Sequence, residues 1–442
     1  MATNAATGSA ATISPPAGHP DEVAIRRRTL TLGLLTSAYF FSYMDRQILA
    51  ILQEDIRREL LLSDTQLGLL AGFAFAIFYA TLGLPVARWA DKGNRVNIIG
   101  IALALWSAMT AVCGLAQNFV QLLLARIGVG IGEAGSSPPS HSIIADLYPP
   151  EKRAGALGIY SLGVVLGAAG GTMIGGTLAH FFGWRVAMFA VGIPGIILAV
   201  IIKLFVVEPR RGLSDPGHAP AAQAAMPSFG EGFRSLFANR AAVHLVMGVT
   251  ITSLIGYGHT AFGPSFMIRT IGLDKLQIAS IVAPVGAVCG TLSAVLGGWL
   301  ANKAAERWGL HAQSWLVLVM KGIGLPLSFL FFASSDPWIA IPIYWASLLL
   351  VNSYLGPTFA LIQGLAPLRM RALWAAVTLL VINLIGLGLG PTMIGVISDA
   401  LKPSLGDAEA LRWAMLSLAA ATPWALFHYW RAGVWLKRRA AA

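Results

Sequence analysis

Apolar runs of about twenty residues recur along almost the whole of this 442-residue chain. That is the length an α-helix needs to cross about 30 Å of hydrocarbon. So many runs cannot all be buried in one water-soluble core. Only 12% of the residues are Asp, Glu, Lys or Arg, against 56% hydrophobic, and a water-soluble domain carries about twice that share of charge. The sequence is that of a multi-pass membrane protein. Backbone in lipid must satisfy its own hydrogen bonds, so the spans are expected to be helices.

The runs give twelve expected spans, near 29–52, 66–87, 96–116, 119–145, 154–180, 184–207, 241–268, 277–301, 312–333, 338–362, 372–398 and 410–434. They divide six and six, which sets the expected organisation: a disordered Ala/Ser/Pro-rich tail over 1–24, a first six-helix bundle over 25–207, a cytoplasmic linker over 208–240 and a second bundle over 241–436. With both termini inside, 20 Lys and Arg residues fall on the inner side and 7 on the outer. This bias obeys the positive-inside rule. The net charge of +11 therefore reads as topology and not as a nucleic-acid surface. A weak internal repeat supports the duplication: Ala87–Arg95 follows span 2, and Gly298-Trp-Leu-Ala-Asn-Lys303 follows span 8.

Charges inside the spans are the candidate functional residues, because an ionised group in hydrocarbon is costly unless it meets a partner or a water-filled cavity. Asp45 and Arg46 sit in the first span; Arg126 and Glu133 sit in the fourth. The latter two are seven residues apart, about two helical turns, and so share one face with Gly130. An acid and a base from each of two spans can meet in one cavity. Gly130-Ile-Gly-Glu-Ala-Gly135 matches a dinucleotide-binding pattern, but apolar helix precedes it where a strand is needed. Cys113 and Cys289 fall within spans without metal spacing, and His141 and Asp146 are five apart, which suits no zinc site. No metal, cofactor, nucleophile–base pair or phosphate loop is indicated, so the chain reads as no enzyme.

Arg126-x-x-x-Gly130-x-x-x-x-Gly135 matches the fourth-helix motif of the major facilitator superfamily, and Asp91-Lys92-x-Asn94-Arg95 is similar to its inner-loop signature, with Ala87 and Asn94 in place of two glycines. Span 5 is like the antiporter fifth helix but lacks its proline. Tyr43-Met-Asp-Arg46, Gly128–Ala134 with Ile144–Leu147, and 356–391 resemble the Spinster-like transporters and their bacterial relatives. The resemblance covers most of 30–435. It implies a monomeric carrier in the bacterial inner membrane that moves lipid-like substrates, lysophospholipids or sphingoid phosphates, with proton coupling. Sugar-acid symporters share parts of the pattern, which keeps a small organic anion as the alternative.

On this reading Asp45 and Glu133 are the proton-coupling acids, and Arg46 and Arg126 hold an anionic head group. Tyr79, His259, Asn352, Gln363 and Asn383 are further candidate substrate contacts. Asp91, Lys92, Arg95 and Arg153 are a candidate inner gate. Lys321 lies mid-span with no assigned role. Phe40, Phe41, Phe73, Phe75, Phe78, Phe262, Phe266, Trp345 and Phe359 would suit an amphiphile if they line the cavity.

Overall fold

The computed structural model describes residues 20–214 and 228–441; residues 1–19 and 215–227, most of the expected tail and much of the linker, lie outside them. The described first-half helices are α1 (Pro20–Arg26), α2 (Arg28–Leu60), α3 (Asp64–Gly68), α4 (Ala74–Lys92), α5 (Arg95–Cys113), α6 (Phe119–Glu133), α7 (Ser137–Leu147), α8 (Pro150–Phe182) and α9 (Trp184–Phe205). After the linker come α10 (Phe229–Ala238), α11 (Arg240–Phe266), α12 (Lys275–Gln277), α13 (Ala283–Trp308), α14 (His311–Ala333), α15 (Pro337–Val351), α16 (Leu355–Leu365), α17 (Arg371–Val381), α18 (Gly388–Leu405), α19 (Asp407–Ala419) and α20 (Thr422–Ala441). Among the described residues the fold is helical without strands.

Sequence sets the helix starts. Asn94, Asn118 and Asn239 each accept from the backbone N–H three residues on. Ser63 with Gln66, and Ser228 with Glu231, form reciprocal capping boxes. Each satisfies backbone donors that a helix start leaves free. Pro20–Ala24, expected within the disordered tail, are helical, and Asp21 is buried and accepts from the Arg210 N–H at 3.0 Å.

Nine helical stretches among the described residues are long and apolar enough to cross a membrane. The other expected spans fall on α2, α6–α7 and α19–α20. Asp45, Arg46, Gln53 and Glu54 interrupt the apolar run of α2, which stays helical throughout, while residues 134–136 and 420–421 break the other two helices. Outer surfaces are apolar at helical spacing, as at Ile193, Ile197, Val200 and Leu204, which are 49–69% exposed. Such faces require lipid around them.

Three apolar cores place the site. One joins both halves: Ile48, Ile51, Leu52 and Leu70 pack with Phe262, Phe266, Ile394 and Leu418. The second is built almost wholly from the first half, around Leu35, Phe75, Trp106, Ile143 and Ile202. The third belongs to the second half, around Val246, Ile362, Trp374 and Tyr429. The halves thus merge on the side of Leu61–Asp64 and Asp407 and keep separate cores on the other.

Four π-helical turns interrupt the long helices at Leu69–Phe73, Met267–Ile271, Ile278–Val282 and Ile382–Leu387. All four lie where the halves face each other, the second through the bonds of Arg269 to Glu54 and Asp64, and π turns are frequent at functional sites. Contact there is close enough to need glycine. A Cβ on Gly68 would stand 2.5 Å from the Pro391 carbonyl oxygen, and one on Gly395 would stand 2.2 Å from that of Asp64. Gly395→Ala should therefore push the halves apart on this side. Spin labels at Arg58 and Ser404, both exposed, should report a longer and broader distance distribution than in the parent; an unchanged distribution would contradict this packing.

Candidate functional site

Asp45 and Arg46 are adjacent on α2 and leave it in different directions. Each finds its partner on α6, so two ion pairs cross between the helices. Arg46 donates from Nε to Glu133 Oε2 at 2.8 Å, and its Nη2 lies 2.7 Å from the same oxygen. Arg126 Nη1 donates to Asp45 Oδ2 at 3.1 Å. Short hydroxyls complete the sites: Ser42 donates to Glu133 Oε2 at 2.9 Å, and Thr110 on α5 donates to Asp45 Oδ1 at 2.5 Å.

The two acids are not equally satisfied. Both oxygens of Asp45 accept a hydrogen bond. Glu133 Oε1 is fully buried with no hydrogen-bond partner among the described residues. The bases differ too. The Arg126 side chain is 3% exposed and Arg46 18%. The Arg46 guanidinium is held against three rings, with Tyr43 at 5.0 Å and Phe75 and Tyr79 at 4.8 Å. Aromatic faces attract a guanidinium and keep its plane fixed.

The two bases open on a cavity of about 80 Å³ between the halves, walled by Tyr43, Arg46, Gln47, Phe75 and Arg126 from the first and by Tyr257, Thr260 and Leu387 from the second; Asp45 and Glu133 sit behind them. The sequence-derived candidates Asp45, Arg46, Arg126, Glu133 and Tyr79 therefore come together. Others lie apart. His259 lines a separate cavity of about 150 Å³ inside the second half, and its Nε2 donates to the Met415 carbonyl at 3.0 Å. Asn352 donates to the Gly290 carbonyl at 3.2 Å, tying α15 to α13. Gln363 is exposed, and Asn383 is half-buried in the fourth π turn.

For the candidate inner gate, the Asp91 side chain lies outside the described residues. Lys92 is exposed. Arg153 donates to the Ala145 carbonyl at 2.8 Å. Arg95 is fully buried and clasps Asp146, Glu208, Ser142 and the Pro209 carbonyl. It binds the first half to the start of the linker and does not reach the second half.

The ion pairs that do bridge the halves lie on the opposite side, and the sequence reading missed them. Arg269, in the π turn that follows α11, grips Asp64 bidentately at 2.8 and 2.9 Å and Glu54 at 2.6 Å. Ser398 donates to Asp64 Oδ2 at 2.7 Å, and Asp399 accepts from the N–H groups of Asp64 and Thr65. Arg57 pairs with Asp407 at 2.8 Å, and Lys275 with Asp55 at 2.5 Å. Burial pushes the Asp407 carboxyl up, but Lys402, Arg269 and Arg57 outweigh it and hold it below the usual carboxylate range. A carboxyl depressed in this way contributes above that range and loses its contribution only as pH falls through the lowered value. The one available signal was an acid just after a helix cap, Ser63-Asp64, opposite a base at a span end.

Crossed charge pairs beside a cavity where the halves meet, with ion pairs joining the halves on one side, fit a membrane transporter. The chain belongs to the Major Facilitator Superfamily, whose pattern matches residues 35–393; fold and family are those of transporters and not of enzymes. It is 34% identical over 406 residues to an MFS-type efflux pump of Mycolicibacterium smegmatis, across 91% of this chain and 92% of that one. It is 28% identical over 287 residues to a probable L-galactonate transporter of Escherichia coli, across 63% and 62%. The fold matches the crystal structure of a bacterial homologue of the human lysosomal transporter Spinster, inward-facing and unoccupied, with a TM-score of 0.84 and 32% identity over 93% of this chain and 98% of that one. The chain is thus a Spinster-like multi-pass membrane transporter.

Removing one partner from a buried ion pair leaves an uncompensated charge and costs roughly 3–5 kcal/mol. Arg269→Met should therefore disfavour the arrangement sealed around Asp64. A cysteine at Ala50, in the cavity wall, should become reactive to an impermeant maleimide from the Asp64 face. Unchanged labelling would show that the apolar core alone holds this side closed.

Proposed function

We propose that the chain is a proton-coupled secondary transporter, with twelve spans and both termini cytoplasmic, that moves an amphiphilic anionic or zwitterionic lipid-like substrate across a bacterial inner membrane by alternating access. It acts as a monomer. The observation that carries this reading is Arg46: a guanidinium at the cavity wall, stacked on three rings and paired with an acid that has one unpartnered oxygen. A guanidinium binds phosphate or carboxylate bidentately. Glu133, once protonated, no longer competes for it. Rings beside the charge suit an amphiphile better than a sugar acid, whose hydroxyls would each need a polar partner. The efflux-pump relative favours export.

Asp45 and Arg126 belong to the same reading, as second acid and second base. Tyr79 holds Arg46 in place. His259, Asn352, Gln363 and Asn383 are proposed as substrate contacts in other states of the cycle, and Asp91, Lys92, Arg95 and Arg153 as the inner gate. A second reading, symport of a small organic anion, is favoured by the likeness to a galactonate transporter.

Two outcomes test the proposal in proteoliposomes. Glu133→Gln keeps the shape of the side chain but cannot ionise. It should abolish accumulation driven by a proton gradient while substrate exchange survives; uphill transport at the parent rate would exclude Glu133 as a proton site. Affinity for lysophospholipids should rise with chain length, by about 0.8 kcal/mol per buried methylene, until the cavity is filled. Hexuronate should compete poorly. Flat affinity across the series, with competition by hexuronate at low concentration, would replace the lipid substrate with the organic anion.

A further inference from the structure

The second half holds a cation that the transport reading leaves without a task. Lys321 lies mid-way along α14, a helix long and apolar enough to span. Its Nζ donates to the Val351 carbonyl at 2.7 Å and lies 4.3 Å from the Tyr354 ring centroid. Val351 ends α15, where residues 352–354 break the helix and leave that carbonyl free. An ammonium has three donors, and this contact uses one. Among the described residues no carboxylate lies within ion-pair distance of it. A charge inside a membrane span without a counter-ion is costly, so the site is electrically incomplete.

Lys321 also lines the cavity of about 150 Å³ between α11, α14 and α15. Phe331, Phe332, Leu325 and Tyr344 form apolar walls. Gly256, Gly263 and Gly324 leave open space where a side chain would stand. A dry cavity of about this size is large enough to take benzene. One lysine supplies a single positive charge, and His259 is engaged with the Met415 carbonyl. The complement is a single negative charge on a compact apolar body. Thr260 of α11 lines both this cavity and the one at Arg46, so the two are neighbours.

We infer that the second-half cavity is a binding site for a small apolar monocarboxylate of about the size of benzoate, whose carboxylate completes the charge of Lys321. Occupancy from the neighbouring cavity would let such a molecule, or an anionic arm of a larger one, bridge the halves at Thr260. The site does not depend on which substrate the first cavity takes.

The test is calorimetric titration of the purified full chain in neutral detergent, with benzoate and its uncharged match benzamide. No proton gradient or transport is needed, so a failure here leaves the lysophospholipid reading standing. The parent should bind benzoate at least roughly tenfold more tightly than benzamide, the scale of one charge-assisted hydrogen bond. Lys321→Met, close in length and apolar, should erase that preference while benzamide still binds; Lys321→Arg should retain it. Gly324→Leu fills the cavity with the lysine intact and should weaken both ligands. A preference that survives in Lys321→Met, or both ligands binding normally to Gly324→Leu, would overturn the inference. So would loss of the preference in Arg46→Gln, which would put the carboxylate in the first cavity.

Discussion

An ionised side chain inside a bilayer must be paired or hydrated, and that constraint fixes how α2 meets α6. Asp45 and Arg46 are neighbours in sequence but are not each other's partners; Arg126 and Glu133 take them one each. Pairing across the helices satisfies four charges with two contacts and sets helix rotation and register together. The hydroxyls of Ser42 on α2 and Thr110 on α5 finish the arrangement. The first half is therefore organised around charges and not only around packing.

The same constraint works between the halves with another result. Glu54, Asp64 and Arg269 are almost fully buried, and their burial exists only while the halves touch. Were the halves to separate on this side, water would reach all three groups, and hydration would offset much of the lost pairing. A buried ion pair at a moving interface therefore differs from one in a rigid core. It gives a closed state with defined register while keeping an open state accessible. The shared apolar core adds to closure, and the glycine contacts at Gly68 and Gly395 bring the two backbones close enough for both to act.

What could be read from the sequence follows from how conspicuous a charge is. Asp45, Arg46, Arg126 and Glu133 stand out because their neighbours are apolar, and a spacing of seven places the last two on one face. Arg269 and Arg57 do not stand out. At span ends they look like ordinary orientation charges, and their partners in the other half are more than two hundred residues away. Amide side chains are ambiguous for a different reason. Asn352 and Gln363 serve helix packing or exposed surface as readily as a cavity, and only the contact to Gly290 decides for the first. Arg95 reads as a gate residue from its motif; the structure adds that it holds Asp146 and Ser142 of the first half together with Glu208 and Pro209 of the linker, because hydropathy does not reveal how a linker folds back.

Under the proposed function the aromatic cage around Arg46 gives the coupling a physical basis. A guanidinium is always charged, so it needs a partner at every stage of a cycle. When Glu133 is ionised it occupies Arg46 from inside the helix pair. When Glu133 takes a proton, the pair loses its attraction, and an anionic head group in the cavity becomes the better partner. Tyr43, Phe75 and Tyr79 hold the guanidinium through that exchange, so the cation stays in place while its counter-ion changes. Asp45 and Arg126 stay paired, with both Asp45 oxygens bonded, and keep α2 and α6 in register meanwhile. The Glu133 carboxylate and the substrate anion then compete for one cation, so taking up a proton and binding substrate at this site are linked.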